Sequence, residues 1–322
     1  MPVDLEPGSG PALLLGWLGR PYHPQKVVSA LLGVSPRVAR HLIGTVVATS
    51  EEAEGLLAAM PAIVRSLAVA TSNRPQRCVG EIRGPIMWSE TMAARGASAG
   101  DPGLFVCATP TRAYDTDENR VLRAALHAVQ VAGRQAEGGE RAGSAVTRRA
   151  RHNGQQAARV LEHQTLAGVP TTRPTGRQLR RTRAGTRRNT YRPAVRTLAR
   201  VAEPLGAAHI TAFASDRTRA RLDLLAAVLL RVADHTGGTP SLRCEAGELV
   251  SGPVRFHHPP LAGPASRWDG VRVGEVLLDV PAPDSIDDGE ARDELRRRAD
   301  GGLSVLVVGA DDLAAAVTLA LG

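Results

Sequence analysis

Between Arg134 and Arg200 the chain carries 16 arginines and only three acids, Glu137, Glu140 and Glu162. This belt limits the possible folds more than any other feature. A guanidinium stays charged at every physiological pH and is almost never buried without a partner. The belt must therefore run along a surface. The rest of the chain holds 24 basic and 29 acidic side chains, so a mildly acidic body carries one strongly basic segment. Residues 171–196 (TTRPTGRQLRRTRAGTRRNTYRPAVR) contain no acid at all. Gly, Thr and Pro interleave with the arginines there and weaken helix. The segment is expected to be an extended or mobile loop until something binds it.

Like charges repel, and no acids stand nearby in sequence to offset them. A polyanion is the natural partner. The belt predicts nucleic acid, DNA first, held at its phosphates by Arg173, Arg177, Arg180, Arg181, Arg183, Arg187, Arg188 and Arg192. Tyr191 is the only aromatic residue in the belt, so base stacking is not expected. The alternatives are docking on an acidic protein partner, which makes the chain a protein–protein adaptor, or a solvated face.

Other chemistry is thinly represented. Aromatic residues make up only 3% of the chain, so the core must be built from Leu, Val and Ala. Cys78, Cys107 and Cys244 are far apart, which argues for a reducing, cytoplasmic setting and against a disulfide framework or a zinc site. No run approaches 18 uninterrupted apolar residues, so no membrane span is expected. There is no G-x-x-x-x-G-K-[ST] phosphate loop and no G-x-S-x-G elbow. His257 and His258 are adjacent, so on a strand they point to opposite faces. No cofactor is expected.

Taken in order, residues 1–20 read as a loose arm whose Leu13-Leu14-Leu15 and Trp17 suit an edge strand or a docking segment. Helical faces follow from Pro24 to Ala70: Val27, Val28, Leu31 and Leu32, then Val38, Leu42, Ile43 and Val46, then Leu56, Leu57, Met60, Ile63, Val64 and Leu67. Residues 25–48 fit either two scaffold helices or a helix-turn-helix. Residues 71–78 read as a linker. Beyond the belt, Asp216 is expected to cap a long helix stopped by Gly237-Gly238. Ser241–Glu245, Leu249–Phe256, Val271–Val280 and Leu303–Val308 read as strands, and Asp312–Leu321 as a closing helix. Pro281–Asp288 reads as an acidic loop and Asp288–Arg298 as a short helix. The fold class is mixed α+β and α/β: a helical N-terminal part, a central strand–capped-helix module, an arginine-rich loop and a small C-terminal α/β sheet. The segment boundaries are 1–78, 79–133, 134–200 and 201–322.

The central module, Val79–Leu126, has the densest local grammar. Val79–Gly84 alternates as a glycine-marked strand, and Met87–Thr91 leads into a short helix. Leu104–Cys107 is a short apolar strand and Thr109–Tyr114 a loop. Asp115 then offers a helix cap, with Glu118 three residues on completing a capping box. Val121, Leu122, Ala125, Leu126 and Val129 form one apolar helix face, with Arg120 and Arg123 off it.

GEIRGPIMWSETM, then a strand, then YDTDENRVLRAAL resembles the central region of McrC-like proteins, in the wider restriction-endonuclease-like family. Asp115, Thr116, Glu118, Asn119 and Arg120 carry that resemblance, and Asp117 stands where the family has proline. It implies a partner AAA+ NTPase, a role in phage defence or DNA processing, and a C-terminal nuclease core holding Mg²⁺ on an Asp and an acid-x-Lys pair. Glu275 and Asp279 are four apart on the expected strand, on one face, and are the weak candidates for that site. The acid-x-Lys element is missing, because Lys26 is the chain's only lysine and lies far upstream. The expectation is therefore a non-catalytic nucleic-acid-binding subunit with a degenerate nuclease core. A Mg²⁺-dependent nuclease with a non-standard third residue is the alternative.

Overall fold

The computed structural model describes residues 6, 8–137, 144–257, 270–280, 293, 295–296, 302–307 and 310–321. In chain order the elements begin with α1 (Gly10–Trp17), α2 (Pro24–Leu32), α3 (Pro36–Ala48) and α4 (Glu51–Arg65). Strand β1 (Ala70–Val79), α5 (Trp88–Ala97), β2 (Leu104–Ala113) and α6 (Asp117–Ala136) follow. Then come α7 (Ala145–Leu161), α8 (Gln164–Ala167), α9 (Gly176–Ala184), α10 (Arg188–Ala202), α11 (Ala207–Phe213) and α12 (Asp216–Thr236). The chain closes with β3 (Arg243–Glu245), β4 (Glu248–Ser251), β5 (Val254–His257), β6 (Gly270–Val273), β7 (Val276–Asp279), β8 (Leu303–Leu306) and α13 (Ala310–Leu321). The class is mixed α+β, mostly helical before a C-terminal six-stranded sheet. Among the described residues no helix is long and apolar enough to cross a membrane.

Two compact units share the chain. The first takes Met1–Val47, Gln135–Thr147 and Glu203–Gly322, and the second Ala48–Arg134 and Arg148–Ala202. The four segments read from the sequence are thus interleaved between them.

In the first unit, α12 is the core helix. Its Leu222, Leu225 and Val228 are fully buried, with Leu14, Leu31, Ile210, Val254, Phe256 and Leu278 in the same cluster. The sheet order is β3-β4-β5-β6-β7-β8, antiparallel throughout except for the parallel β7–β8 pair. Three expectations change here. The loose arm is instead α1, with Leu14 in the core and the backbone N–H groups of Gly8 and Gly10 bound to the Asp223 carboxylate at 2.8 Å each. A helix forms there because residues 10–17 bury apolar side chains against α12, and packing of this kind outweighs weak local propensity. Ser215, not Asp216, caps α12, its hydroxyl accepting the Thr218 N–H at 3.2 Å. The expected strands Leu249–Phe256 and Val271–Val280 are each hairpins, β4–β5 and β6–β7. Gly252 and Gly274 have φ of +54° in their turns, a conformation open to glycine and strained for other residues. The acidic loop Pro281–Asp288, His258 and most of Asp288–Arg298 lie outside the described residues.

The second unit packs α4, α6 and α10 around Leu56, Leu57, Ile63, Leu122, Leu126, Val129 and Tyr191. All five apolar positions read on α6 are fully buried. Residues 71–78 are not a linker, and Thr109–Ala113 is not a loop. They pair over ten registered positions as β1 and β2, from Ala70↔Ala113 to Val79↔Leu104. Pro75 and Pro110 hid this ribbon, since proline removes a donor and enters strands only where no ladder bond is needed. The strand expected at Val79–Gly84 ends at Val79, and Gly84, at φ +127°, sits so close to the Ala108 carbonyl that a Cβ would lie 2.7 Å from it. The helix expected after Met87 is α5.

The belt is the largest correction. It is not an extended loop, because Ala145–Leu161, Gly176–Ala184 and Arg188–Ala202 are helices. One reason is visible at Thr175. Its hydroxyl accepts the Gln178 N–H at 3.2 Å while Gln178 Oε1 accepts the Thr175 N–H at 2.9 Å, a complete capping box. The other is tertiary: Tyr191 and Ala194 on α10 are fully buried.

Candidate nucleic-acid interface

Helix α10 is divided lengthwise. Tyr191, Ala194 and Val195 point into the core, and Arg188, Arg192 and Arg196, spaced by four, share the outward face. Successive guanidinium stems on such a row stand roughly 6 Å apart along the axis. Helix α9 runs beside it and adds Arg183. The four arginines, with Asn189, line a groove of about 520 Å³. Among the described residues no carboxylate lines this groove. Like charges at four-residue spacing destabilise a helix by a few tenths of a kcal/mol per pair. The row forms because the opposite face of α10 is buried, and an anion in the groove would relieve the repulsion.

All eight arginines expected at an interface are exposed. The structure sorts them into different surroundings. Arg188, Arg192 and Arg183 line the groove. Arg177 and Arg180 lie on α9, and Arg173 precedes it. Arg181 is partly neutralised by Asp117 at 3.1 Å. Arg187 serves the fold as well, donating to the Leu67 carbonyl at 2.6 Å and the Ser66 carbonyl at 3.1 Å. Sequence reasoning missed Arg196 and Asn189. The four-residue spacing of Arg188, Arg192 and Arg196 was the available signal, and it carries meaning only once the segment is a helix.

The motif residues of the central module are structural. Thr116, not Asp115, caps α6, accepting the Asn119 N–H at 3.2 Å. Asp115 instead holds Arg120 through two bonds of 2.6 and 2.7 Å, and that guanidinium draws the carboxyl below its ordinary pKa. Burial pushes Asp117 up, but the bonds from Gln178 and Arg181 outweigh it and its pKa is lowered. Asn119 donates to the carbonyls of Ala68 at 2.8 Å and Tyr114 at 2.7 Å. Tyr191 donates to Asn119 Oδ1 at 2.6 Å and accepts the Ala68 N–H at 2.8 Å, and its burial raises the phenol pKa.

Glu275 and Asp279 do not share a strand face. Glu275 lies in the exposed β6–β7 turn and pairs with Arg272 at 2.7 Å. Asp279 is fully buried, bound by Arg221 at 2.8 and 2.6 Å with Arg217 at 3.4 Å. Its carboxylate is committed to a buried cation rather than open to a metal. Among the described residues no group of three or more His, Cys, Asp or Glu side chains could hold a metal ion.

Compared with protein-family models, curated proteins and solved structures, the chain finds no match.

Proposed function

We propose that this protein binds nucleic acid at its phosphates, along the arginine groove of α9 and α10, as a non-catalytic subunit. The observation that carries this reading is the row Arg188, Arg192 and Arg196 lining one concave surface with Arg183, where no carboxylate of the described residues lies. Bidentate guanidinium–phosphate contacts suit such a row. They would be independent of base sequence and sensitive to salt. The resemblance of Val79–Leu126 to McrC-like proteins supports DNA as the nucleic acid, an AAA+ NTPase as the partner and a place in phage defence or DNA processing. Three free thiols suit a reducing, cytoplasmic setting. The engagement of Asp279 by Arg221 speaks against the nuclease alternative.

The test is binding to duplex DNA as a function of salt, for the intact chain and for R183A/R188A/R192A/R196A. The intact protein is expected to show a steep linear fall of log affinity with log salt. The variant should lose slope by about 0.9 for each phosphate contact removed. If the intact protein binds neither DNA nor RNA at low salt, the reading is wrong, and an acidic protein partner becomes the next ligand to try.

A further inference from the structure

The β1–β2 ribbon is long, polar and open along one edge. Ten paired positions span roughly 33 Å at a rise of about 3.3 Å per residue. Its far end is closed. There α5 packs on Leu104 and Val106, and residues 85–87 cover the outer edge of β2 through Met87 N–H to Val106 O and Ala108 N–H to Pro85 O. Among the described residues nothing pairs with the outer edge of β1.

The stretch from Asn73 to Arg77, with Arg112 across from it, carries a distinctive set of side chains. Asn73, Arg74, Gln76, Arg77 and Arg112 are all exposed, and none makes a side-chain hydrogen bond or ion pair with the described residues. Alternation and register put Asn73 and Arg112, which lies opposite Thr71, on one face of the near half, whereas Arg77 lies further out, opposite Val106, where α5 packs. Residues 70–79 and 106–113 contain no acid, in a chain that is net acidic outside its arginine belt. Edge protection explains a proline or a charge on an open strand. It does not explain the exclusion of acids, or the unpaired amides.

The ribbon is also fixed to the arginine groove. Its root, Ala68, donates to Tyr191 Oη at 2.8 Å and accepts from Asn119 at 2.8 Å. Tyr191 lies on the buried side of the helix whose outward side carries Arg188, Arg192 and Arg196. Groove and ribbon thus belong to one unit, joined by buried hydrogen bonds.

We propose that the near half of the ribbon enters the major groove of duplex DNA, with Asn73 and Arg112 on the base edges while the α9–α10 groove holds the backbone. This rests on the nucleic-acid reading above. The B-form major groove is about 12 Å wide and admits a two-stranded ribbon, and arginine and asparagine are the natural readers of guanine and adenine there. The major groove of A-form RNA is too deep and narrow to be read by side chains. The chain should therefore prefer duplex DNA to duplex RNA and should discriminate among sequences.

The experiment selects bound sequences from a random duplex pool with the intact full chain and with N73A/R112A. Each selected sequence is then compared with a scrambled one, and with one whose guanines are 7-deazaguanine, which lacks the major-groove N7 acceptor. The intact protein should favour the selected duplex, and 7-deaza substitution should weaken it. The variant should lose discrimination by roughly 5- to 150-fold for each base-reading side chain removed, while still binding the scrambled duplex. These residues are exposed, so an unchanged melting temperature marks the variant as folded. If the variant discriminates as the intact chain does, or 7-deaza substitution has no effect, the ribbon is only a protected edge and the groove reading stands alone. If the intact chain binds no nucleic acid, both fall. R183A/R188A/R192A/R196A separates the cases, because it should weaken selected and scrambled duplexes alike.

Discussion

The Tyr191 hydroxyl donates to the Asn119 amide oxygen over 2.6 Å, and both side chains are fully buried. Asn119 returns the contact through the Ala68 carbonyl, and the Ala68 N–H binds the tyrosine oxygen. Three groups from α6, α10 and the ribbon root thus close a ring of hydrogen bonds. Tyr191→Phe would strand the Ala68 N–H and the Asn119 oxygen, at about 1–3 kcal/mol. Asn119→Ala should cost at least as much. The double variant should cost less than the sum, because the two share one network. Denaturant unfolding of the three variants checks this, and additive losses would contradict the ring.

Helices α6 and α7 cross at Gly133 and Gly154. A Cβ on Gly133 would lie 2.7 Å from Gly154 Cα, and one on Gly154 would lie 2.9 Å from Gly133 Cα. Alanine at either position must push the helices apart, at a cost of about 1–3 kcal/mol. Gly55, inside α4, has open space around it, so Gly55→Ala should stabilise by about 0.5–1 kcal/mol. Melting temperatures of the three single variants should move in these opposite directions.

Arg221 and Asp279 form a bidentate pair at 2.8 and 2.6 Å with side-chain exposures of 1% and 0%. Removing one partner leaves a buried charge, so Asp279→Asn should cost about 3–5 kcal/mol. Replacing both, as in Arg221→Met/Asp279→Leu, should recover much of that. The single and double variants are compared with the intact protein by denaturant unfolding. An Asp279→Asn variant that keeps its stability would show the buried pair to be dispensable.

Asp115 and Asp117 both have lowered pKa values, from Arg120 in the first case and, against the opposing effect of burial, from Gln178 and Arg181 in the second. A depressed carboxyl contributes stability that is present above its unfolded pKa of about 3.9 and is lost as pH falls through the lower folded value. Asp115 is exposed and Asp117 half-buried, so the contribution is small and salt-sensitive. Asp115→Asn/Asp117→Asn should flatten the stability–pH curve below about pH 4 and leave its shape near neutrality unchanged. A pH series of melting curves for the two proteins measures this.

The apolar stripe of α6, the helical faces of α2 and α4, the stop of α12 at Gly237 and the presence of a C-terminal sheet follow from local signals, whereas Val38, expected on the apolar face of α3, is exposed. Periodicity reports which face must leave water. The strong charge asymmetry is likewise a property of composition alone. Thr175 and Gln178 stand at capping-box spacing, so one determinant of α9 is local.

The rest was decided by contacts distant in sequence. No local signal says that the prolines of residues 70–79 and 104–113 fall where two strands can still pair, because pairing depends on a partner some 30 residues away. Nor does one say that Asp279 would meet Arg221, from a helix 58 residues earlier, rather than remain available to a metal. The candidate interface has the same origin. The sequence determined that the arginines of the belt must lie outside. The burial of Tyr191 and Ala194 decided that they lie in a row on a helix, because a strongly cationic segment gains regular structure only when its other face has a core to cover.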